Sequence, residues 1–232
     1  MAQNRQVDRF LENYRRLEAA AANILPRDNK GSVIARLLRM PKFAPYREEL
    51  DCCREVRNLL THEVRVDGEP AIIPGDGMIR FLEKMIDLIV NPPRVKHRMT
   101  PIEKLVAVTY DTPVLEMMER MRAHDLSRVP LLVDGVVRGM FSMETVFRAT
   151  LDGIPIGAET KIANLDGLLA LDAAPITTYR FVPPEMTLDA AEEMFYHAYG
   201  RKSKIRALLV TEGGNPDGKL LGVLSPYDVL GN

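Results

Sequence analysis

The sequence predicts an α+β protein in which a helical bundle precedes a repeated region of alternating strands and helices. Three observations predict it. Apolar residues recur every three or four positions through residues 1–91, Asn91-Pro92-Pro93 interrupts that texture, and the rest of the chain aligns with itself.

Val7, Phe10, Leu11, Tyr14, Leu17, Ala21 and Ile24 form the apolar stripe of a first amphipathic helix that ends before Pro26. A shorter helix is expected from Ser32 to Met40, stopped by Pro41. Tyr46, Leu50, Cys53, Val56 and Leu60 mark a third helix between Pro45 and Glu63. After a Pro74-Gly75-Asp76-Gly77 loop, Met78, Phe81, Leu82, Met85, Ile86 and Ile89 mark a fourth. Proline lacks the amide proton and restricts the residue before it, so Pro92-Pro93 closes the unit.

Beyond it, Leu105 to Val108, Val129 to Val133 and Val136 to Phe141 are short β-type runs, and Pro113 to Ala123 is helical. Pro101-Ile102 and Val108 overlie Pro175-Ile176 and Val182 at equal spacing. Leu131-Leu132-Val133 then overlies Leu208-Leu209-Val210, and Gly139-Met140-Phe141-Ser142 overlies Gly222-Val223-Leu224-Ser225. The offset grows along the repeat, which places insertions at the end of the second copy's helix and in its Gly213-to-Gly218 hairpin loop. The expected organisation is a helical domain over 1–93 and a repeat pair over 94–232, with a first repeat at about 94–150, a connector at 151–174 and a second repeat at 175–232.

With 31 Lys+Arg against 32 Asp+Glu, the 232-residue chain has a formal net charge of -1, which excludes a histone-like or polybasic membrane-surface protein. An apolar content of 46% argues against a disordered chain, and the lack of Trp with 6% aromatics disfavours a stacking platform for single-stranded nucleic acid. Cys52 and Cys53 are neighbours, so no disulfide framework is available and a reducing compartment fits. The amino terminus runs straight into mixed charged and apolar residues and no apolar run approaches the length of a membrane span; the expectation is a soluble cytoplasmic protein without membrane attachment. His62, His97, His124 and His197 are dispersed, so no metal site is expected. No phosphate-binding P-loop, dinucleotide glycine motif or serine elbow occurs.

The repeat carries Arg98-Met99-Thr100-Pro101 at its start, Ser127-Arg128-Val129-Pro130-Leu131-Leu132-Val133 in its middle, and a glycine, two apolar residues and a serine near each end. In these residues it resembles a pair of cystathionine-beta-synthase-type (CBS) domains over about 94–232. The resemblance implies a compact β-α-β-β-α pair with two clefts. It also implies a regulatory module that takes an adenosine-containing ligand such as AMP, ADP, ATP or S-adenosylmethionine. The family's sharpest signal is intact in the second copy, Gly222-Val223-Leu224-Ser225-Pro226-Tyr227-Asp228. There a strand hands over to a helix, backbone amides can meet a phosphate, and the Asp228 carboxylate can take hydrogen bonds from ribose hydroxyls. The same spacing also fits a capping box, with Ser225 as N-cap, Pro226 in the first helical position and Asp228 reaching back. In the first copy Ser142 keeps the serine, but Thr145 stands where the carboxylate should be. One complete site and one altered site are expected, with Lys204, Arg206 and Arg128 available to neutralise phosphates.

Arg57-Asn58-Leu59-Leu60-Thr61-His62 lies in the third helix. Within a four-helix unit it resembles the HEPN (higher eukaryotes and prokaryotes nucleotide-binding) domains, many of them metal-independent endoribonucleases. That resemblance implies a homodimer in which Arg57, Asn58 and His62 act on an RNA phosphate. An imidazole that titrates near neutrality suits proton transfer, and a guanidinium suits the developing charge. On a straight helix Arg57 and His62 point about 140° apart, so a second subunit or a helix end at His62 is required. Two functions follow as expectations: an adenine-nucleotide sensor that controls a helical effector or dimerisation domain with an RNA or protein target, or a nucleotide-gated ribonuclease.

Overall fold

The structure is a computed structural model that describes residues 2–25, 31–62, 65–66, 69–70, 72–171, 179–199 and 205–230. The chain divides into two compact units, Met1–Pro92 and Pro93–Asn232. No helix among the described residues is long and apolar enough to cross a membrane.

The first unit holds α1 (Ala2–Ile24), α2 (Val33–Leu37), α3 (Arg47–Thr61) and α4 (Asp76–Val90), with two short antiparallel strands, β1 (Arg65–Val66) and β2 (Glu69–Pro70), between the last two. Phe10, Tyr14, Leu17 and Ala21 of α1 bury the predicted stripe against Leu50, Cys53 and Val56 of α3 and Ile79, Leu82, Met85 and Ile89 of α4. Three boundaries differ from the sequence reading. The Ser32 hydroxyl caps α2 by accepting from the Ala35 amide, yet the helix ends at Leu37 because Arg39 and Met40 tighten into i→i+3 bonds. Pro41 then opens a 3-10 helix, Pro41–Tyr46, instead of only ending the previous one: in the first turn its missing amide would have had no partner anyway. Asp76 and Gly77, expected in a loop, form the first turn of α4, where a carboxylate meets the positive end of the helix dipole.

Cys52 is exposed, whereas Cys53 is 2% exposed and burial pushes its thiol up to about 12. A thiol reagent at about pH 8 therefore labels Cys52 at once and Cys53 only when the unit opens. The folded chain retains a proton that the unfolded chain releases above the ordinary value of 9.0, so stability falls as pH rises from there towards about 12. Urea titrations followed by Cys53 labelling on either side of that window measure the loss.

The second unit holds β3 (Thr100–Pro101), α5 (Val114–Ala123), β4 (Arg128–Val133), β5 (Val136–Ser142) and α6 (Met143–Leu151), then β6 (Tyr179–Val182), α7 (Leu188–Tyr199), β7 (Ala207–Thr211), β8 (Leu220–Leu224) and α8 (Pro226–Leu230). One sheet runs β3-β8-β7-β6, with β6 parallel to β7 and the other pairs antiparallel. In the first copy β4 and β5 pair antiparallel, and the run Leu105–Val108 is not a strand: only Val108 bridges, in parallel, to Leu131. Turns on both sides consume it. The Leu105 amide closes a 3-10 turn onto Ile102, and Thr109 folds back on Thr112.

The copies exchange their flanking segments. β3, which precedes copy one, lies on β8 of copy two through Thr100↔Val223 and Pro101↔Gly222. Leu169, which precedes copy two, accepts from the Met140 amide on β5 of copy one. The connector is thus part of the first core: its 3-10 turn Ile162–Leu168 buries Ile162 and Leu165 with Val114, Met117, Met121 and Phe141. Met85, Met117 and Met121 are core residues, and Met99, Met118 and Met194 pack at core edges. The expected insertion at the end of α7 falls outside the described residues. The one in the hairpin loop is a turn that Gly213 and Gly214 enter with φ of 71°.

Candidate functional site: the cleft between the repeats

The two motif glycines are fixed by the segment exchange. A Cβ on Gly139 would stand 2.5 Å from the Leu169 carbonyl oxygen, and one on Gly222 would stand 2.5 Å from that of Thr100. Gly222 therefore admits the strand β3, and Gly139 admits the connector at Leu169.

Past Gly222, β8 ends at Leu224 and Ser225 turns the chain into α8 with Pro226 in its first position. Asp228 Oδ2 accepts from the Ser225 amide at 2.6 Å and from Ser225 Oγ at 2.7 Å, so this carboxylate holds the turn in shape. In the first copy Ser142 Oγ accepts from the Thr145 amide at 3.2 Å and Thr145 Oγ1 accepts from the Ser142 amide at 3.1 Å. That pair is buried and closes on itself.

A cleft of about 1370 Å³ opens between the copies. Copy two contributes Ser225, Pro226 and Tyr227, with the Tyr227 ring 87% exposed at its edge, together with Arg206. Copy one contributes Lys104 and the stretch from His124 to Arg128 at the end of α5. Leu105, Val106, Ile205 and Phe195 give it apolar walls. Cations, hydroxyls and an aromatic ring over an apolar floor suit an anionic ligand with a flat ring.

The family model described as the CBS domain matches residues 95–152 and 173–232, more than half of the chain. The chain belongs to the CBS domain family. A search of curated proteins found no match. Among solved structures it is similar to CBSX2 in complex with AMP, 21% identical over 60% of this chain and 93% of that one at a TM-score of 0.42. It is also similar to the CBS domain of the bacterial CNNM/CorC family Mg2+ transporter in complex with ATP, 17% identical over 64% and 91% at 0.43. A functionally unknown conserved protein domain from Neisseria meningitidis MC58 is 16% identical over 78% and 98% at 0.45.

Of the residues expected to bind ligand, the CBS pair brings Arg128, Arg206, Ser225 and Pro226 to one cleft. Asp228 does not line it and lies behind the turn that it caps. Ser142 is buried in the capping box of the first copy and does not line the cleft, although it pairs across the sheet with Arg128, which does. Lys204 lies outside the described residues. Sequence reasoning missed Lys104, His124 and Tyr227. Tyr227 sits inside the quoted motif and was within reach of it, whereas Lys104 and His124 come to the CBS cleft only through the packing of the copies.

In the helical unit α3 ends at Thr61 and His62 is its C-cap, with its amide donating to the Asn58 carbonyl. The helix end that the motif needed is present. Arg57 Nη1 donates to Asn58 Oδ1 at 3.2 Å, and its guanidinium stacks 5.7 Å from the centre of the Tyr14 ring. Burial, above all, raises the Tyr14 phenol to about 12, partly opposed by Arg57. Tyr14 thus presents a neutral ring to the cation.

Proposed function

We propose that this protein is an adenine-nucleotide-sensing regulator in which the CBS pair binds an adenosine-containing ligand and controls the helical unit or the assembly of the chain. The observation that carries this reading is the cleft that joins Arg128 and Arg206 to the Ser225-Pro226 turn and the Tyr227 ring. The cations take the phosphates and the apolar walls with Tyr227 take the base. Asp228 acts through the turn it holds, as a positioning residue. Because Ser142 and Thr145 satisfy each other, the ligand binds once per chain. Calorimetric titration of AMP, ADP, ATP and S-adenosylmethionine tests this: at least one binds at one per chain, and Tyr227→Ala weakens it several-fold without lowering Tm, since the ring supports no packing. Failure of all four to bind sinks the reading.

A homodimer belongs to the same reading. Met143, Phe147 and Leu151 lie one turn apart along α6 and are 55%, 63% and 70% exposed, a stripe suited to burial against a second copy. Light scattering on wild type and Phe147→Glu is expected to give a dimer and a monomer; a monomeric wild type at micromolar concentration refutes it.

A second reading, a HEPN-type metal-independent endoribonuclease, is favoured by one observation: His62 stands at the end of α3 rather than within it. In that case cellular RNA is cleaved in the presence of EDTA, with a bell-shaped pH profile, and His62→Ala and Arg57→Ala abolish cleavage. Cleavage that survives His62→Ala refutes this reading. Without cleavage, the helical unit serves as a regulated docking or dimerisation element for a protein target.

A further inference from the structure

We propose that the cleft of the CBS pair selects a nucleotide with two or three phosphates over the monophosphate, an inference that rests on the nucleotide-sensing reading above. Three cations line the cleft from separate parts of the fold: Lys104 in the turn after β3, Arg128 at the start of β4 and Arg206 just before β7. Among the described residues no carboxylate pairs with any of them, and the hydrogen bond recorded for Arg128 goes to a neutral hydroxyl, Ser127 Oγ, at 3.4 Å. Other cations of the same unit do have carboxylate partners. Arg94 and Lys96 share Glu185, and Lys161 pairs with Asp111.

Among the described lining residues Asp125 is the one carboxylate, so three positive charges face one negative in a chain whose formal net charge is -1. Like charges gathered on one cleft without partners repel each other and are relieved by a polyanion. A monophosphate reaches one or two such groups, whereas a di- or triphosphate chain can span cations held on different elements. The space agrees, because about 1370 Å³ exceeds the roughly 300–1,000 Å³ of common small-molecule pockets.

The test is calorimetric titration of AMP, ADP and ATP against wild type, Lys104→Gln and Arg206→Gln at two salt concentrations. ATP is expected to bind about tenfold or more tightly than AMP at low salt, with a steeper loss of affinity as salt rises. Both replaced side chains are exposed, so Tm is expected to hold, and each variant narrows the ratio of ATP to AMP affinity several-fold. If AMP binds as tightly as ATP, or if neither variant narrows the ratio, the inference fails and the nucleotide-sensing reading stands. If none of AMP, ADP and ATP binds wild type, the inference fails, and the sensing reading falls with it only if S-adenosylmethionine does not bind either.

Discussion

Phe10→Ala lowers the stability of the helical unit by about 3–5 kcal/mol. Phe10 is fully buried in the cluster that α1, α3 and α4 share, its ring centre 6.2 Å from that of Tyr14. Truncation removes the transfer free energy of the ring and leaves a cavity whose walls belong to helices already anchored by Leu17, Leu50 and Leu82. The walls cannot all move in. Cys53 belongs to the same cluster, so its labelling in rising urea reports the opening of this unit alone. Leu59→Ala is the control: Leu59 is 45% exposed and its replacement is expected to cost less than about 0.5 kcal/mol. A Phe10→Ala loss near the control value would show that the core is loosely packed.

Gly222→Val is expected to cost about 3 kcal/mol or more and to impair nucleotide binding with it. Even the first added carbon would stand 2.5 Å from the Thr100 carbonyl oxygen, which is backbone and cannot swing aside like a side-chain tip. To make room, β3 must leave β8. Thr100 and Lys104, which line the cleft, then shift with it. Gly139→Val strains the corresponding contact with Leu169 in the first copy, so a comparable loss of stability is expected there. Thermal unfolding and ATP titration of both variants check this. A Gly222→Val protein that keeps wild-type Tm and affinity would refute the packing of β3 on β8.

Short-range sterics and periodicity were legible in the order of the residues. The four helices follow from the three-four spacing of residues such as Phe10, Tyr14 and Leu17, because a helix exposes its buried face at that interval whatever it packs against. The Ser225-to-Asp228 turn was legible for the same reason: a serine hydroxyl and a carboxylate three residues on meet in any helix start. The repeat showed that two similar lobes exist. How those lobes exchange their flanking segments emerged only once the chain was packed. Leu105–Val108 reads as a strand by composition, yet only Val108 finds a partner, because the turns at Ile102–Lys104 and Thr109–Thr112 take its neighbours. Thr100 pairs with Val223, more than half the chain away, and no local pattern announces such a partner. The same holds for the site. Lys104 and Arg206 carry no signal beyond their charge until the copies pack and turn them to one cleft, and Arg57 has no anchor until α3 lies beside Tyr14. Propensity acts over a few residues, whereas pairing and burial join segments far apart in sequence, which is why the elements could be read in advance and the cleft could not.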